Sequence, residues 1–299
     1  GGLLLEYKVS EGENCVIIDG VSDFDLKHIF DCGQCFRWYE EKDGSYTGTA
    51  FGRVINVQKQ GNLLIINNSD LDDFKNLWFR YFDLGRDYGR IKEVLSKDEV
   101  LNEAIKFGGG IRILRQDEWE ILISFMLSTN NRIPMIKRAI KSLSEKYGKP
   151  IEYKGNTYFS FPEPSKIADA DISEIEKCHT GFRAKFIKGA AVAVNDGDLD
   201  LYNLDKIGYS KARDELMELK GVGPKVSDCI LLFSMGYYEA FPVDVWIKRV
   251  MQFFYLTQDD SLKKIEIFAQ NKFKELAGFA QEYLFYYARE CKSREISDK

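Results

Sequence analysis

Up to residue 66 the apolar positions come in short runs rich in β-branched and aromatic side chains. These are Cys15-Val16-Ile17-Ile18, Cys35-Phe36-Arg37-Trp38-Tyr39, Tyr46 to Phe51, Val54 to Val57 and Leu63 to Ile66. Runs of this kind predict strands, and Asp43-Gly44 and Gly61-Asn62 supply hairpin turns between them. From Leu71 the spacing becomes helical, with Leu71, Phe74, Leu77, Trp78 and Tyr81 on one stripe, predicting a helix over 71–82. The Gly108-Gly109-Gly110 run predicts a boundary, and beyond it the chain reads as almost wholly helical. Trp119, Ile121, Leu122, Ile123, Phe125, Met126 and Leu127 make a helix apolar nearly all round, hence buried. Phe161-Pro162-Glu163-Pro164 interrupts, helices resume over 164–170 and 173–177, and residues 293–299 are expected to fray. The predicted class is α+β: an N-terminal domain (1–112) built on an antiparallel β-sheet with flanking helices, then a helical domain (113–299).

Composition adjusts this picture modestly. With 44% hydrophobic and 30% charged residues the chain reads as an ordinary globular protein with a substantial core. No apolar run approaches a membrane span, and Gly1 to Tyr7 lacks the cationic front of a secretion signal. Six cysteines are too sparse for a disulfide framework at this length, so a reduced, cytoplasmic protein is expected, and separately a monomer. The net charge of −5 argues mildly against a nucleic-acid partner. Its force is weakened by three basic clusters: Arg132, Lys137, Arg138, Lys141, Lys146 and Lys149; Arg183, Lys185 and Lys188; and Lys220, Lys225, Lys248 and Arg249. Each is also what a solvated surface looks like.

The most specific stretch is Leu219-Lys220-Gly221-Val222-Gly223-Pro224-Lys225-Val226-Ser227-Asp228-Cys229, followed by Asp244 in Pro242-Val243-Asp244-Val245. Two glycines one residue apart, then a proline, make a tight hairpin opening onto a helix. Unpaired N–H groups at a helix start favour a phosphate, so Gly221 and Gly223 are candidate DNA contacts in a helix-hairpin-helix motif. Lys225 lies in the first turn, where the helix dipole disfavours a positive charge, which makes its amine a candidate nucleophile. The plain alternative is a motif that only grips DNA. Asp244 precedes a helix as an N-cap would, and capping and catalysis are compatible roles.

These motifs, with others in order from about Ile29 to Arg289, resemble the 8-oxoguanine DNA glycosylase/AP lyases of the helix-hairpin-helix superfamily. The resemblance implies base-excision repair of duplex DNA containing oxidised guanine, with Lys225 as catalytic nucleophile and Asp244 assisting it. Cys229 would flank the extruded base beside Lys225. Asn130, in Ser128-Thr129-Asn130-Asn131-Arg132, would enter the space left by the flipped nucleotide. Phe182 would wedge between base pairs and Arg183 contact the unpaired partner base. Gln281 would read the base edge while Phe285 stacks on it. The backbone carbonyl of Gly33, in Asp31-Cys32-Gly33-Gln34-Cys35, would accept the hydrogen that oxidised guanine carries on N7. An acceptor facing the lone pair of normal guanine is penalised, which discriminates the two.

Two positions depart from the eukaryotic pattern. Met135 stands where a second arginine helps read the opposite cytosine, and methionine cannot donate bidentate bonds to a base. Weak discrimination of the opposite base is therefore expected, with similar activity on lesions opposite C and opposite A. Trp246 replaces a histidine two residues after the aspartate and could pack on the lesion nucleotide. Cys32-x-x-Cys35 lacks a second cysteine pair, and the four-cysteine cluster of iron–sulfur glycosylases is absent, so no catalytic metal or cofactor is expected, a monovalent cation on the hairpin carbonyls being left open. Two rivals remain: a monofunctional alkylpurine glycosylase, against which Lys225 argues, and a non-catalytic DNA-binding module, which leaves Asp244 unexplained.

Overall fold

The structure, a computed structural model, describes residues 7–257 and 260–297; Gly1 to Glu6, and residues 298 and 299 of the tail expected to fray, lie outside the described residues. Six strands, β1 (Lys8–Gly12), β2 (Cys15–Asp19), β3 (Trp38–Glu40), β4 (Tyr46–Ala50), β5 (Arg53–Gln60) and β6 (Leu63–Asn67), form a sheet in the order β1-β2-β6-β5-β4-β3. The chain packs as two compact units: Gly1–Gln34, Gln58–Arg115 and Gly236–Lys299 in the first, Cys35–Val57 and Gln116–Met235 in the second.

In the first unit, β2 pairs antiparallel with β1 and β6, setting Val16 opposite Ile66 and Ile18 opposite Leu64. All four are buried while the intervening residues are not, the period-2 signature of a sheet with one covered face. The helix expected over 71–82 is broken. Leu71–Asp73 and Phe79–Tyr81 flank a π-helical turn, Phe74–Trp78. The wider turn rotates the stripe, so Phe74, Trp78, Tyr81 and Phe82 are all buried in edge-to-face contacts. The helix Ala277–Cys291 is buried over most of its circumference. It lies on the helix Glu99–Gly108, where a Cβ at Gly108 would stand 3.0 Å from the Tyr286 ring. Arg112 is a buried cation that donates from Nε to Asp23 O, from Nη1 to Asp83 O and from Nη2 to Ser22 O, between the rings of Phe24 and Tyr88. At the end of the chain, Ser293–Ser297 is helical rather than frayed, because Ile296 is buried.

In the second unit, β3 pairs with β4 and β4 with β5. Gly48 faces Trp38 across the ladder and lies so close beneath the indole that no side chain fits. The strand expected from Cys35 begins only at Trp38, since Cys35 and Phe36 are buried outside the ladder. The helix Glu118–Ser128 is buried on nearly every face, as its composition predicts, and Asp117 caps it through Glu120 N. Ile133–Tyr147 follows, its entry set by Pro134. The region read as wholly helical also holds an antiparallel hairpin, β7 (Pro150–Tyr153) and β8 (Asn156–Phe159). Lys154 (φ 48°) and Gly155 (φ 76°) form its two-residue turn, a primed geometry that a lysine does not announce.

Candidate active-site residues

The second unit carries the nucleophile candidate and most of the expected DNA contacts. Tyr209–Met217 and Pro224–Ile230 are the two helices of the motif, joined through Gly221 and Gly223. Gly221 has φ 93°, and a Cβ there would meet Phe186 at 2.9 Å, so both backbone conformation and packing demand glycine. At Gly223, the N-cap of the second helix, no atom lies within 4 Å of where a Cβ would stand.

Lys225 leaves the first turn of the second helix with its amine fixed at two points. Nζ lies 3.1 Å from Ser128 Oγ and 5.1 Å from the centre of the Phe125 ring. Ser128 donates its own hydrogen to Phe125 O at 2.7 Å, so its oxygen faces Lys225 as an acceptor. Phe125 is held in turn by a stacked Phe233 and an edge-on Phe36. Cys229, one turn beyond Lys225, is buried. Behind the helix, Asp228 takes Arg213 Nε at 2.8 Å and Nη2 at 3.1 Å, and the Tyr209 hydroxyl at 2.9 Å. This bidentate pair ties the two helices of the motif together away from solvent. Neither Ser128 nor the Arg213–Asp228 pair stood out in the sequence. Ser128 sits in the motif already quoted for Asn130, and its hydrogen bond to a residue 97 positions away has no local signature.

Asn130 follows the end of the buried helix in a left-handed conformation (φ 49°) and is exposed. The amide that turns back onto the helix belongs to Asn131, which donates to Leu127 O at 3.0 Å, leaving Asn130 outside any cap. Arg183 is buried, and its guanidinium donates to the carbonyls of Thr129, Asn130 and Thr180. The cation thus fastens the Asn130 turn, and burial lowers its pKa. Phe182 beside it is 57% exposed, and Met135 is also exposed at the start of its helix. Of the basic clusters, Lys146 and Lys149 are engaged with Glu174 and Glu163. Arg132, Lys137 and Arg138, around the start of the helix Ile133–Tyr147, have no carboxylate partner among the described residues.

The first unit carries the expected base-reading residues. Asp244 is the N-cap of Val245–Phe254, accepting from Ile247 N at 2.7 Å. Trp246 is half-buried, and its indole N–H makes no hydrogen bond among the described residues. Gln281 and Phe285 lie one turn apart on Ala277–Cys291. Gln281 is only 5% exposed, yet its Oε1 has no hydrogen-bond donor among the described residues. A buried amide oxygen left in this way costs about 1–3 kcal/mol unless a ligand engages it. Gly33 (φ 103°) lies against Phe285, whose Cε1 would be 3.3 Å from a Cβ there. Arg289 lies over the Phe285 ring and donates to Asp31 O, so the turn and the helix are fastened together. Cys32 Sγ donates to Ile29 O at 3.3 Å. Next to Gln281, Glu282 is buried, and desolvation, against weaker opposing pulls from Cys32 and Arg289, pushes its carboxyl up to about 7.

Comparison with known proteins supplies the family context. Residues 16–122 match the family model of the 8-oxoguanine DNA glycosylase N-terminal domain, and residues 123–279 that of the HhH-GPD superfamily base excision DNA repair proteins. The N-glycosylase/DNA lyase of Saccharomyces cerevisiae is 31% identical over 77% of this chain and 68% of its own length. Two solved structures are more similar still. The 8-oxoguanine glycosylase/lyase of Clostridium acetobutylicum, bound to double-stranded DNA with cytosine opposite 8-oxoguanine, is 50% identical with a TM-score of 0.93, covering 95% of this chain and 98% of that one. MBOgg1 in complex with a low-affinity DNA ligand is 55% identical with a TM-score of 0.94, covering 96% and 99%.

Proposed function

Because this chain belongs to the HhH-GPD superfamily of base-excision DNA repair proteins, and through its N-terminal part to the 8-oxoguanine DNA glycosylases, we propose that it excises 8-oxoguanine from duplex DNA and cuts the strand at the abasic site left behind. The observation that carries this reading is the placement of the Lys225 amine, held by Ser128 Oγ in the first turn of the helix that follows the glycine hairpin. An alkylpurine glycosylase that activates water through its aspartate has no use for such a lysine. A module that only grips DNA has no use for a buried amide oxygen without a donor at Gln281.

In this reading Lys225 Nζ attacks the sugar C1′ while the C1′–N9 bond breaks and the base departs with its electron pair. The Asp244 carboxylate stabilises the cationic sugar during that step. The resulting adduct opens to a Schiff base, loss of a 2′ proton follows, and the 3′ C–O bond breaks in β-elimination. Gly33 and Gln281 read the flipped base, Phe285 stacks on it, and Cys229 and Trp246 bound it. Asn130, Phe182 and Arg183 occupy and flank the gap, and the Gly221–Gly223 hairpin grips phosphate. With Met135 in place of an arginine, excision opposite C and opposite A differs by less than about threefold; a strong preference for C would refute the Met135 assignment. The two-domain division, 1–112 and 113–299, a monomeric state and a cytoplasmic location belong to the same reading. For the division alone there is a related observation, two family matches that meet ten residues later, at 122 and 123. Among the described residues no helix is long and apolar enough to cross a membrane.

The test is borohydride trapping on a duplex carrying one 8-oxoguanine. Wild type should give a covalent protein–DNA adduct that Lys225→Gln does not. Base release without an adduct points instead to a monofunctional enzyme.

A further inference from the structure

Gln34 follows Gly33 and is completely buried. Its carboxamide is satisfied at both ends by main chain from two separate stretches. Nε2 donates to Ile29 O at 2.9 Å and to Arg112 O at 2.7 Å, with Cys32 Sγ at 3.3 Å, while Oε1 accepts from Leu114 N at 2.8 Å. Two carbonyls facing one end and an N–H facing the other admit only this orientation of the amide. Arg112, one of the acceptors, is itself fixed by three carbonyl bonds, so the carboxamide is anchored to a rigid segment. Gly33 C=O and Gln34 N–H belong to one planar peptide group. Holding the Gln34 side chain therefore holds one edge of the plane that contains the Gly33 carbonyl. Glycine at φ 103° has little conformational preference of its own to keep that plane in place.

We propose that Gln34 is the positioning residue of the base-reading turn, setting the Gly33 carbonyl so that discrimination of oxidised from normal guanine depends on its buried carboxamide. This rests on the reading of Gly33 given above. A carbonyl senses the hydrogen on N7 only over a few tenths of an ångström, so a turn that swings freely loses the contrast between donor and lone pair. The neighbouring grips, Arg289 on Asp31 O and Cys32 on Ile29 O, hold the residues before Gly33. Gln34 holds the residue after it.

The test separates reading from chemistry by using two duplexes, one with 8-oxoguanine and one with a preformed abasic site, which presents no base to read. Gln34→Met removes the amide at similar volume. Gln34→Glu is the companion that keeps an acceptor for Leu114 N but turns an oxygen toward the Ile29 and Arg112 carbonyls. Single-turnover excision of 8-oxoguanine is expected to fall about 30-fold or more in both variants, while cleavage of abasic DNA stays within about threefold of wild type. Because abasic cleavage needs folded enzyme, it calibrates the active fraction of each variant. A parallel fall in both activities would make Gln34 merely structural and overturn the proposal, as would unchanged 8-oxoguanine excision. If wild type itself cleaves abasic DNA without releasing 8-oxoguanine, the reading of Gly33 fails first.

Discussion

Lys225 and Gln281 are each a single polar side chain on a helix, yet what holds them differs in kind. Lys225 is half-exposed at the start of a helix whose entry is dictated by residues within six positions of it. Gln281 is buried in the middle of its helix, one turn from Phe285, which packs on the Gly33 turn; the next residue, Gln34, bonds to residues about 80 positions away. The nucleophile region is local, and the reading region is assembled by long-range burial of polar groups. A local device fails through chemistry when altered, whereas a buried polar device fails through misplacement and unsatisfied hydrogen bonds.

The largest effect outside the reacting groups is expected where the nucleophile region borrows the other strategy. Arg213→Ala leaves Asp228 buried with an unneutralised carboxylate, and breaking such a pair costs about 3 kcal/mol. Urea denaturation should show that loss; a change below about 1 kcal/mol would mean the pair adds nothing to the motif. That network was not legible from residue types alone. The glycine hairpin was, because φ 93° at Gly221 is a demand only glycine meets cheaply.

Next in size is the pH response of the reading region. Desolvation raises the Glu282 carboxyl from 4.5 to about 7. The folded state therefore binds more protons than the unfolded chain between these values, and stability must fall as pH rises through that window. Glu282→Gln is neutral throughout, so its stability relative to wild type should rise by about 2–3 kcal/mol from pH 4.5 to 8. Glu120, also pushed up to about 7 by burial in the second unit, contributes a slope of the same sign. It is common to both proteins and cancels. A pH-independent difference between the two would contradict the burial argument.

The smallest effect belongs to Ser128, which accepts one hydrogen bond from the nucleophile. Ser128→Ala should slow borohydride trapping about fivefold, equivalent to roughly 1 kcal/mol, while duplex affinity is unchanged. If trapping and affinity fall together, Ser128 serves the Asn130 turn rather than the amine.

The same contrast explains what the sequence revealed. The buried helix Glu118–Ser128, the Asp244 cap and the β-branched run Cys15 to Ile18 are signals carried by neighbouring residues, and the structure contains each of them. The hairpin of β7 and β8 escaped because a lysine occupies its first left-handed position. The break at Phe74–Trp78 escaped because a π-helical turn retains helical hydrophobic spacing on either side. Gln34 was quoted only as part of a motif around Gly33. Its role lies in where Arg112 and Leu114 pass, which no local pattern states.

The division between chemistry and reading is tested most directly by pairing Lys225→Gln with Gln281→Ala on the 8-oxoguanine and abasic duplexes. Lys225→Gln should lose borohydride-trappable adduct on both. Gln281→Ala should lose about 100-fold on 8-oxoguanine alone and trap abasic DNA like wild type. Loss of abasic trapping in Gln281→Ala, or its survival in Lys225→Gln, would contradict the account.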